Sequence, residues 1–185
     1  MNEKLYIQAQ DLLSDSVRLG AMVVNSGFKP SFIVGIWRGG TPIGIAVQEV
    51  LAWAGIQTDH IAIRTSSYDH AIDQRDQHVR VHGLSYLVDR VNAEDSMLLV
   101  DDVFDTGFTI QAIINKLHRR ARLNTPHEIR VAVPWYKPKR NQTDRTPEYY
   151  LHETEQWIKF PHSLEGLSDH EIKKFRPEIW ATLNE

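Results

Sequence analysis

Met97-Leu98-Leu99-Val100-Asp101-Asp102-Val103-Phe104-Asp105-Thr106-Gly107-Phe108-Thr109-Ile110 changes character within a few residues. Met97 to Val100 is a short apolar run of the kind that is buried on both faces of a parallel sheet. Two adjacent carboxylates follow at once, then the small and hydroxylated residues Asp105, Thr106, Gly107 and Thr109. Ile110 to Leu117 then carries the apolar spacing of a helix. Strand, acidic pair, turn and helix in that order make one unit of an α/β fold, a central parallel sheet flanked by helices.

In physical terms the stretch is a phosphate cradle with a hydroxyl or cation site beside it. Backbone N–H groups at a helix N-terminus attract an anion, Gly107 allows close approach, and Thr106 and Thr109 offer hydroxyls. Asp101 and Asp102 fall at the carboxyl end of a strand, where open α/β sheets place their ligands. They can accept from sugar hydroxyls or hold Mg²⁺ through water. A phosphorylated sugar fits both halves. The structural alternative is an ordinary βα turn, N-capped by Asp105 or Thr106, with a solvated acidic pair.

The chain of 185 residues, 42% apolar, is the size of one domain with a substantial core. Its 21 basic and 24 acidic residues are well mixed and leave a formal charge of −3, which speaks against a general nucleic-acid or membrane-surface binder. No apolar run is long enough for a membrane span, and Met1-Asn2-Glu3-Lys4 does not open a signal peptide. The absence of cysteine excludes disulfides and thiolate chemistry and makes the cytoplasm the default compartment. The nine histidines show no ligand-like spacing.

Leu5, Ala9, Leu12, Leu13, Val17, Ala21 and Val24 predict an amphipathic helix over 3–25, ended near Gly27. Residues 31–36 read as a buried strand and 41–54 as a helix with Pro42 near its first turn. Between them, Trp37-Arg38-Gly39-Gly40 lets a guanidinium and backbone amides converge on an anion, although alone it reads better as a tight turn with a surface Arg. A strand is expected from Asp59, ending in the polar Ser66-Ser67-Tyr68. The charged segment 69–82 is either a mobile loop or a solvated excursion. A short helix over 84–91, strands over 128–133 and 149–154, and a terminal helix over 168–175 capped by Ser168 complete the prediction.

LLVDDVFDTGFTI resembles the diphosphoribosyl-binding motif of the type I phosphoribosyltransferases, with Phe108 standing where a small residue is frequent. The strand-x-Arg-Gly-Gly-helix pattern is similar to the diphosphate loop of the same family. Purine-specific members often carry a non-proline cis peptide just before this Arg, a bond that costs about 3 kcal/mol. Trp157-Ile158-Lys159-Phe160-Pro161 resembles the purine-binding segment of the xanthine/guanine/hypoxanthine branch, although His162-Ser163 replaces the Trp and acid that many relatives carry next. The resemblance covers four segments in the right order, from about residue 31 to 163.

The resemblance implies a Rossmann-like sheet with a small C-terminal hood, and a Mg²⁺-dependent transfer of ribosyl 5-phosphate from 5-phosphoribosyl 1-diphosphate to a 6-oxopurine (hypoxanthine, guanine or xanthine). By that likeness Thr106, Gly107, Phe108 and Thr109 seat the 5-phosphate. Asp101 and Asp102 take the ribose hydroxyls and the metal, and Arg38 and Gly39 take the diphosphate. Ser66, Ser67 and Tyr68 begin a lid. Lys137 meets the exocyclic oxygen of the base, with Lys139 a near competitor. Trp157 stacks on the ring, the Ile158 carbonyl meets its edge, and Asp105 is the general base or else a loop cap. Glu165 is a possible substitute for the acid missing at Ser163. Trp37 either stacks on a ligand or caps the core. The family also suggests a homo-oligomer. Two rivals stand beside this reading: a nucleotide-sensing regulator on the same fold, and a transferase for adenine, orotate or uracil.

Overall fold

The computed structural model describes residues 4–66 and 79–185. In chain order its elements are β1 (Lys4–Tyr6), α1 (Ala9–Asn25), β2 (Phe32–Trp37), α2 (Gly40–Trp53), β3 (Asp59–Ser66), β4 (Arg80–His82), α3 (Ser85–Val88), β5 (Ser96–Val100) and β6 (Val103–Phe104). There follow α4 (Phe108–Ala121), β7 (Glu128–Tyr136), β8 (Tyr149–Glu153), β9 (Trp157–Lys159), α5 (Asp169–Phe175) and α6 (Pro177–Leu183). The chain divides into two compact units: Leu13–Glu155, and Met1–Leu12 with Gln156–Glu185. None of the helices is long and apolar enough to cross a membrane among the described residues.

In the larger unit the strands run in the order β4-β3-β2-β5-β7-β6, with β8 on β7. All neighbours are parallel except β3 and β4. Alternate residues of the central strands feed the two faces. Val34, Ile36, Met97, Leu99, Val131 and Val133 share one core with Ile110, Ile113 and Leu117 of α4 and with Leu84 and Leu87. Ile33, Leu98 and Ala132, buried from the other face, alternate with them. Each such aliphatic side chain contributes about 1.5–3 kcal/mol on burial, and this burial on both faces is why the strands read as unbroken apolar runs. β5 pairs with the first half of β7 and β6 with its last residues, so the acidic pair lies between two strands that share one neighbour.

Three expectations change. The predicted helix over 3–25 begins only at Ala9, because Lys4–Tyr6 pairs with β9 as a parallel strand; two side chains pointing the right way are too few to distinguish periods 2 and 3.6. The charged segment after Tyr68 does not stay irregular to residue 82: Arg80–His82 pairs antiparallel with β3, burying Val81, whose single apolar side chain is too slight a signal. The strand from Glu128 runs through Pro134 to Tyr136.

In the smaller unit β1 and β9 pair, and α5 carries the expected Ser168 cap as a full capping box with Glu171. Glu171 also accepts from Lys4 Nζ at 2.5 Å and Tyr6 OH at 2.6 Å, while the Tyr6 ring stacks on Phe175. Arg176, buried, donates to the carbonyl of Ile7 at 2.6 Å.

These bonds give the smaller unit a pH signature. The Lys4 ammonium and the Ser168 amide hold the Glu171 carboxyl well below its usual range, and burial with the bond to Glu171 pushes the Tyr6 phenol up to about 12. A depressed acid stabilises above its unfolded pKa, about 4.3 for Glu, and loses that contribution as pH falls. A raised phenol stabilises below about 10 and loses the contribution as pH rises toward the folded value. Glu171→Gln is therefore expected to lower the melting temperature most near neutrality and to flatten its fall on both the acid and the alkaline side. A variant profile parallel to wild type would contradict this.

Candidate active site

The site is built where β2 and β5 end. Gly39 and Gly40, opening α2, lie directly against the end of β5: a Cβ on Gly39 would overlap the Asp102 carboxylate, and one on Gly40 would overlap the carbonyl of Val100. The two glycines therefore set how closely the Arg38 turn approaches the acidic pair. The Trp37–Arg38 peptide bond is cis, and the turn closes with Thr41 N donating to the Arg38 carbonyl at 3.2 Å. Trp37 is 54% exposed, so it does not cap the core.

Asp101 directly follows β5, its N–H reaching the Ala132 carbonyl at 3.3 Å, and its Oδ1 accepts from the Asp102 N–H at 2.9 Å. Burial, and after it the neighbouring charge of Asp102, push the Asp101 carboxyl well above the usual carboxylate range. Two carboxylates held this way suit a cation shared with substrate oxygens, the manner in which Mg²⁺ is commonly held by one or two protein carboxylates. No cluster of three or more metal-binding side chains occurs among the described residues.

The turn after β6 leads directly into α4. Gly107, with φ of 83°, is the N-cap of α4, and no side chain caps the helix. The N-cap position therefore falls on Gly107 and not on Asp105 or Thr106. The Phe108 amide donates to Thr106 Oγ1 at 3.5 Å, and the first-turn N–H groups have no acceptor within the helix itself. Thr106 to Thr109 thus form one turn whose backbone N–H groups open α4.

Behind that turn lies the segment after β7. Lys137 N donates to the Phe104 carbonyl at 2.9 Å and Gln142 N to that of Thr106 at 3.0 Å. Asn141 Oδ1 accepts from Thr143 N at 3.0 Å and Thr143 Oγ1 at 2.9 Å. Asn141 and Thr143 then close on Gly107 so tightly that a Cβ there would overlap Thr143 Oγ1. Lys137 Nζ, its side chain 4% exposed, lies 3.5 Å from Asp105 Oδ2, and Arg140 Nε lies 2.6 Å from Asp105 Oδ1 in an ion pair not aligned as a hydrogen bond.

Of the residues singled out from sequence, the structure brings Gly39 against Asp102 and Lys137 to Asp105, and sets Asp101, Asp102 and Asp105 to Thr109 along one edge of the sheet. Ser66 ends β3, while Ser67 and Tyr68 lie outside the described residues. Trp157, half-exposed, and Ile158, buried, belong to β9 in the smaller unit. In that unit the main-chain carbonyl of Glu165 accepts from Lys159 Nζ at 2.7 Å. Lys139 is exposed, with its amide on Glu155. Sequence reasoning missed Arg140 and the Asn141–Thr143 clasp. The cationic run Lys137-Pro138-Lys139-Arg140 after a strand that neighbours the acidic loop was the available signal. A cavity of about 550 Å³ between α4 and residues 143–148 has none of the predicted residues in its lining.

The model of the phosphoribosyl transferase domain matches residues 4–169. Among solved structures, a purine phosphoribosyltransferase from Pyrococcus horikoshii is 24% identical over 91% of this chain and 98% of its own, with a TM-score of 0.68. A protein from Neisseria gonorrhoeae with bound ppGpp is 20% identical over 100% of this chain and 99% of its own, with a TM-score of 0.73. The xanthine-guanine-hypoxanthine phosphoribosyltransferase of Helicobacter pylori is 13% identical over 98% and 99%, with a TM-score of 0.64. No curated protein sequence matches. The shared fold is that of the type I phosphoribosyltransferases.

Asp101 provides a stability test. An acid with a raised folded pKa stabilises only below its unfolded pKa, about 3.9, and that contribution is lost as pH rises through the folded value. Asp101→Asn keeps the acceptor for the Asp102 amide and removes the buried charge. Its melting temperature should exceed that of wild type near pH 7, by about 2–4 °C for each kcal/mol relieved, and the gain should vanish toward pH 4. A variant less stable at neutrality would contradict this.

Proposed function

The chain belongs to the phosphoribosyl transferase domain family, and on that footing we propose that it transfers the 5-phosphoribosyl group of 5-phosphoribosyl 1-diphosphate to a ring nitrogen of a 6-oxopurine. The observation that carries the reading is the convergence on one sheet edge of the Arg38-Gly39 turn, the Asp101–Asp102 pair and the Thr106–Thr109 turn, with a lysine-paired carboxylate, Asp105, between them. Hypoxanthine, guanine and xanthine differ only at one ring position, so the substrate class is the 6-oxopurine and the product its nucleoside monophosphate, as in salvage of free bases.

In this reading the Thr106–Thr109 turn binds the 5-phosphate through backbone N–H groups and hydroxyls. Asp101 and Asp102 orient the ribose hydroxyls and would hold Mg²⁺. When bound, that ion neutralises charge on the donor's diphosphate. The base's ring nitrogen forms the new bond to the sugar's anomeric carbon as the bond to diphosphate breaks, and diphosphate leaves with the electron pair. Arg38 and the Gly39 backbone receive the charge that develops there. Asp105 takes the proton from the base's other ring nitrogen, and Lys137 meets its exocyclic oxygen. Resemblance alone assigns Trp157 and Ile158 to the base and Ser66, Ser67 and Tyr68 to a lid that excludes water. The whole chain acts as one phosphoribosyltransferase domain, cytoplasmic and a homo-oligomer.

A second reading has an observation of its own. The likeness to the Neisseria protein with bound ppGpp runs the full length of both chains, and Phe108 sits in the anion turn where the family's motif has a small residue. A chain that binds a guanosine polyphosphate without transferring anything would be a sensor.

Incubation with Mg²⁺, 5-phosphoribosyl 1-diphosphate and each of hypoxanthine, guanine, xanthine, adenine, orotate and uracil separates them. The expected result is diphosphate release with at least one 6-oxopurine, and a fall in kcat of about 10²-fold or more in Asp105→Asn. Turnover only with another base would move the substrate class. Binding of donor or ppGpp with no turnover on any base would establish the sensor.

A further inference from the structure

We propose that Arg140 is a positioning residue of the transfer site: it holds the Asp105 carboxylate so that Lys137 can leave it and read the exocyclic oxygen of an incoming base. This rests on the assignment of Asp105 and Lys137 above and adds a residue that neither the sequence reading nor the family motifs name.

Lys137 is almost wholly buried, and its ammonium lies 3.5 Å from Asp105 Oδ2. A buried ammonium needs a charge or a set of acceptors, and moving it from a carboxylate to a neutral carbonyl oxygen leaves that carboxylate short of a cation. Arg140 supplies the second cation on the other oxygen of the same carboxylate, 2.6 Å from Asp105 Oδ1. Its side chain is 47% exposed, at the mouth of the turn and away from the place an incoming base takes beside Lys137, so it keeps its hold on the carboxylate as the base enters.

Both cations come from one short turn. Arg140 N donates to the Lys137 carbonyl at 3.1 Å across Pro138–Arg140, which presents the two side chains to the two oxygens of Asp105. The next residues anchor the turn: Gln142 N bonds the Thr106 carbonyl, and Asn141 Nδ2 donates to Tyr136 OH at 3.2 Å and to the Arg145 carbonyl at 2.9 Å. Arg140 is thereby tied at both sides to the backbone it serves. With Arg140 in place Asp105 remains pinned near the base's ring N–H while Lys137 exchanges partners. Without it, Lys137 stays with Asp105 and the base loses its recognition of the oxygen.

The test compares wild type, Arg140→Gln and Arg140→Lys in steady-state kinetics with the preferred 6-oxopurine, alongside calorimetric binding of the corresponding nucleoside monophosphate. Arg140→Gln is expected to raise KM for the base and weaken the monophosphate by about tenfold, the scale of one charge-assisted hydrogen bond. KM for 5-phosphoribosyl 1-diphosphate and the melting temperature should stay as in wild type, and Arg140→Lys should recover most of the loss. Unchanged base KM in Arg140→Gln, or equal rises for both substrates, would overturn the proposal while leaving the transferase reading intact. If wild type shows no turnover but binds the monophosphate, the transferase reading falls and the tenfold loss of binding still decides Arg140. Wild type that neither turns over nor binds a 6-oxopurine nucleotide would overturn both.

Discussion

The closeness of the Arg38-Gly39-Gly40 turn to the end of β5 is the constraint on which the rest depends. Hydrogens instead of methyl groups at Gly39 and Gly40 let that turn lie against the Val100 carbonyl and the Asp102 carboxylate. A guanidinium loop and an acidic pair then share one sheet edge. The parallel strands that deliver them, β2 and β5, are neighbours in register from Phe32 with Met97 to Gly35 with Val100, and β2 runs on to Trp37, past the end of β5, before its loop turns back. Anion-binding and cation-binding groups placed that near one another favour a ligand carrying both phosphates and hydroxyls.

That arrangement is costly. Asp101 is half-buried beside a second carboxylate, where partial desolvation and the neighbouring charge disfavour its ionised form. Asp105 is surrounded by cations instead. Two carboxylates a few residues apart thus live in opposite electrostatic settings, one short of positive charge and one supplied with it. The second already has the partners that fix its position, which suits a group that acts on the base rather than on the metal.

Much of this was legible in the chain itself. Four-residue apolar runs followed by polar or glycine-rich turns marked β2, β5 and their loops because parallel strands buried on both faces leave no alternation to misread. Ser168 marked the start of α5, since an N-cap is a local interaction, and Glu171 completes it as a capping box. What remained hidden depends on contacts between distant segments. Lys4–Tyr6 becomes a strand only by meeting Trp157–Lys159, and Arg80–His82 only by returning to β3. Arg140 and Asn141 look like solvated loop residues until β7 is laid beside β6, after which their neighbours are Asp105, Thr106 and Gly107. Trp37 could not be placed by type alone; its exposure follows from its position as the last residue of β2, outside the layer of helices.

The central claim is that the Asp101–Asp102 pair and the Thr106–Thr109 turn together hold a phosphorylated sugar diphosphate. Calorimetric titration of 5-phosphoribosyl 1-diphosphate into the protein with Mg²⁺ tests it most directly, with Gly107→Val as the control that fills the anion turn at a positive-φ position. The account predicts one saturable site per chain in wild type and its loss in the variant. Absence of saturable binding in wild type, or equal binding in both, would contradict it.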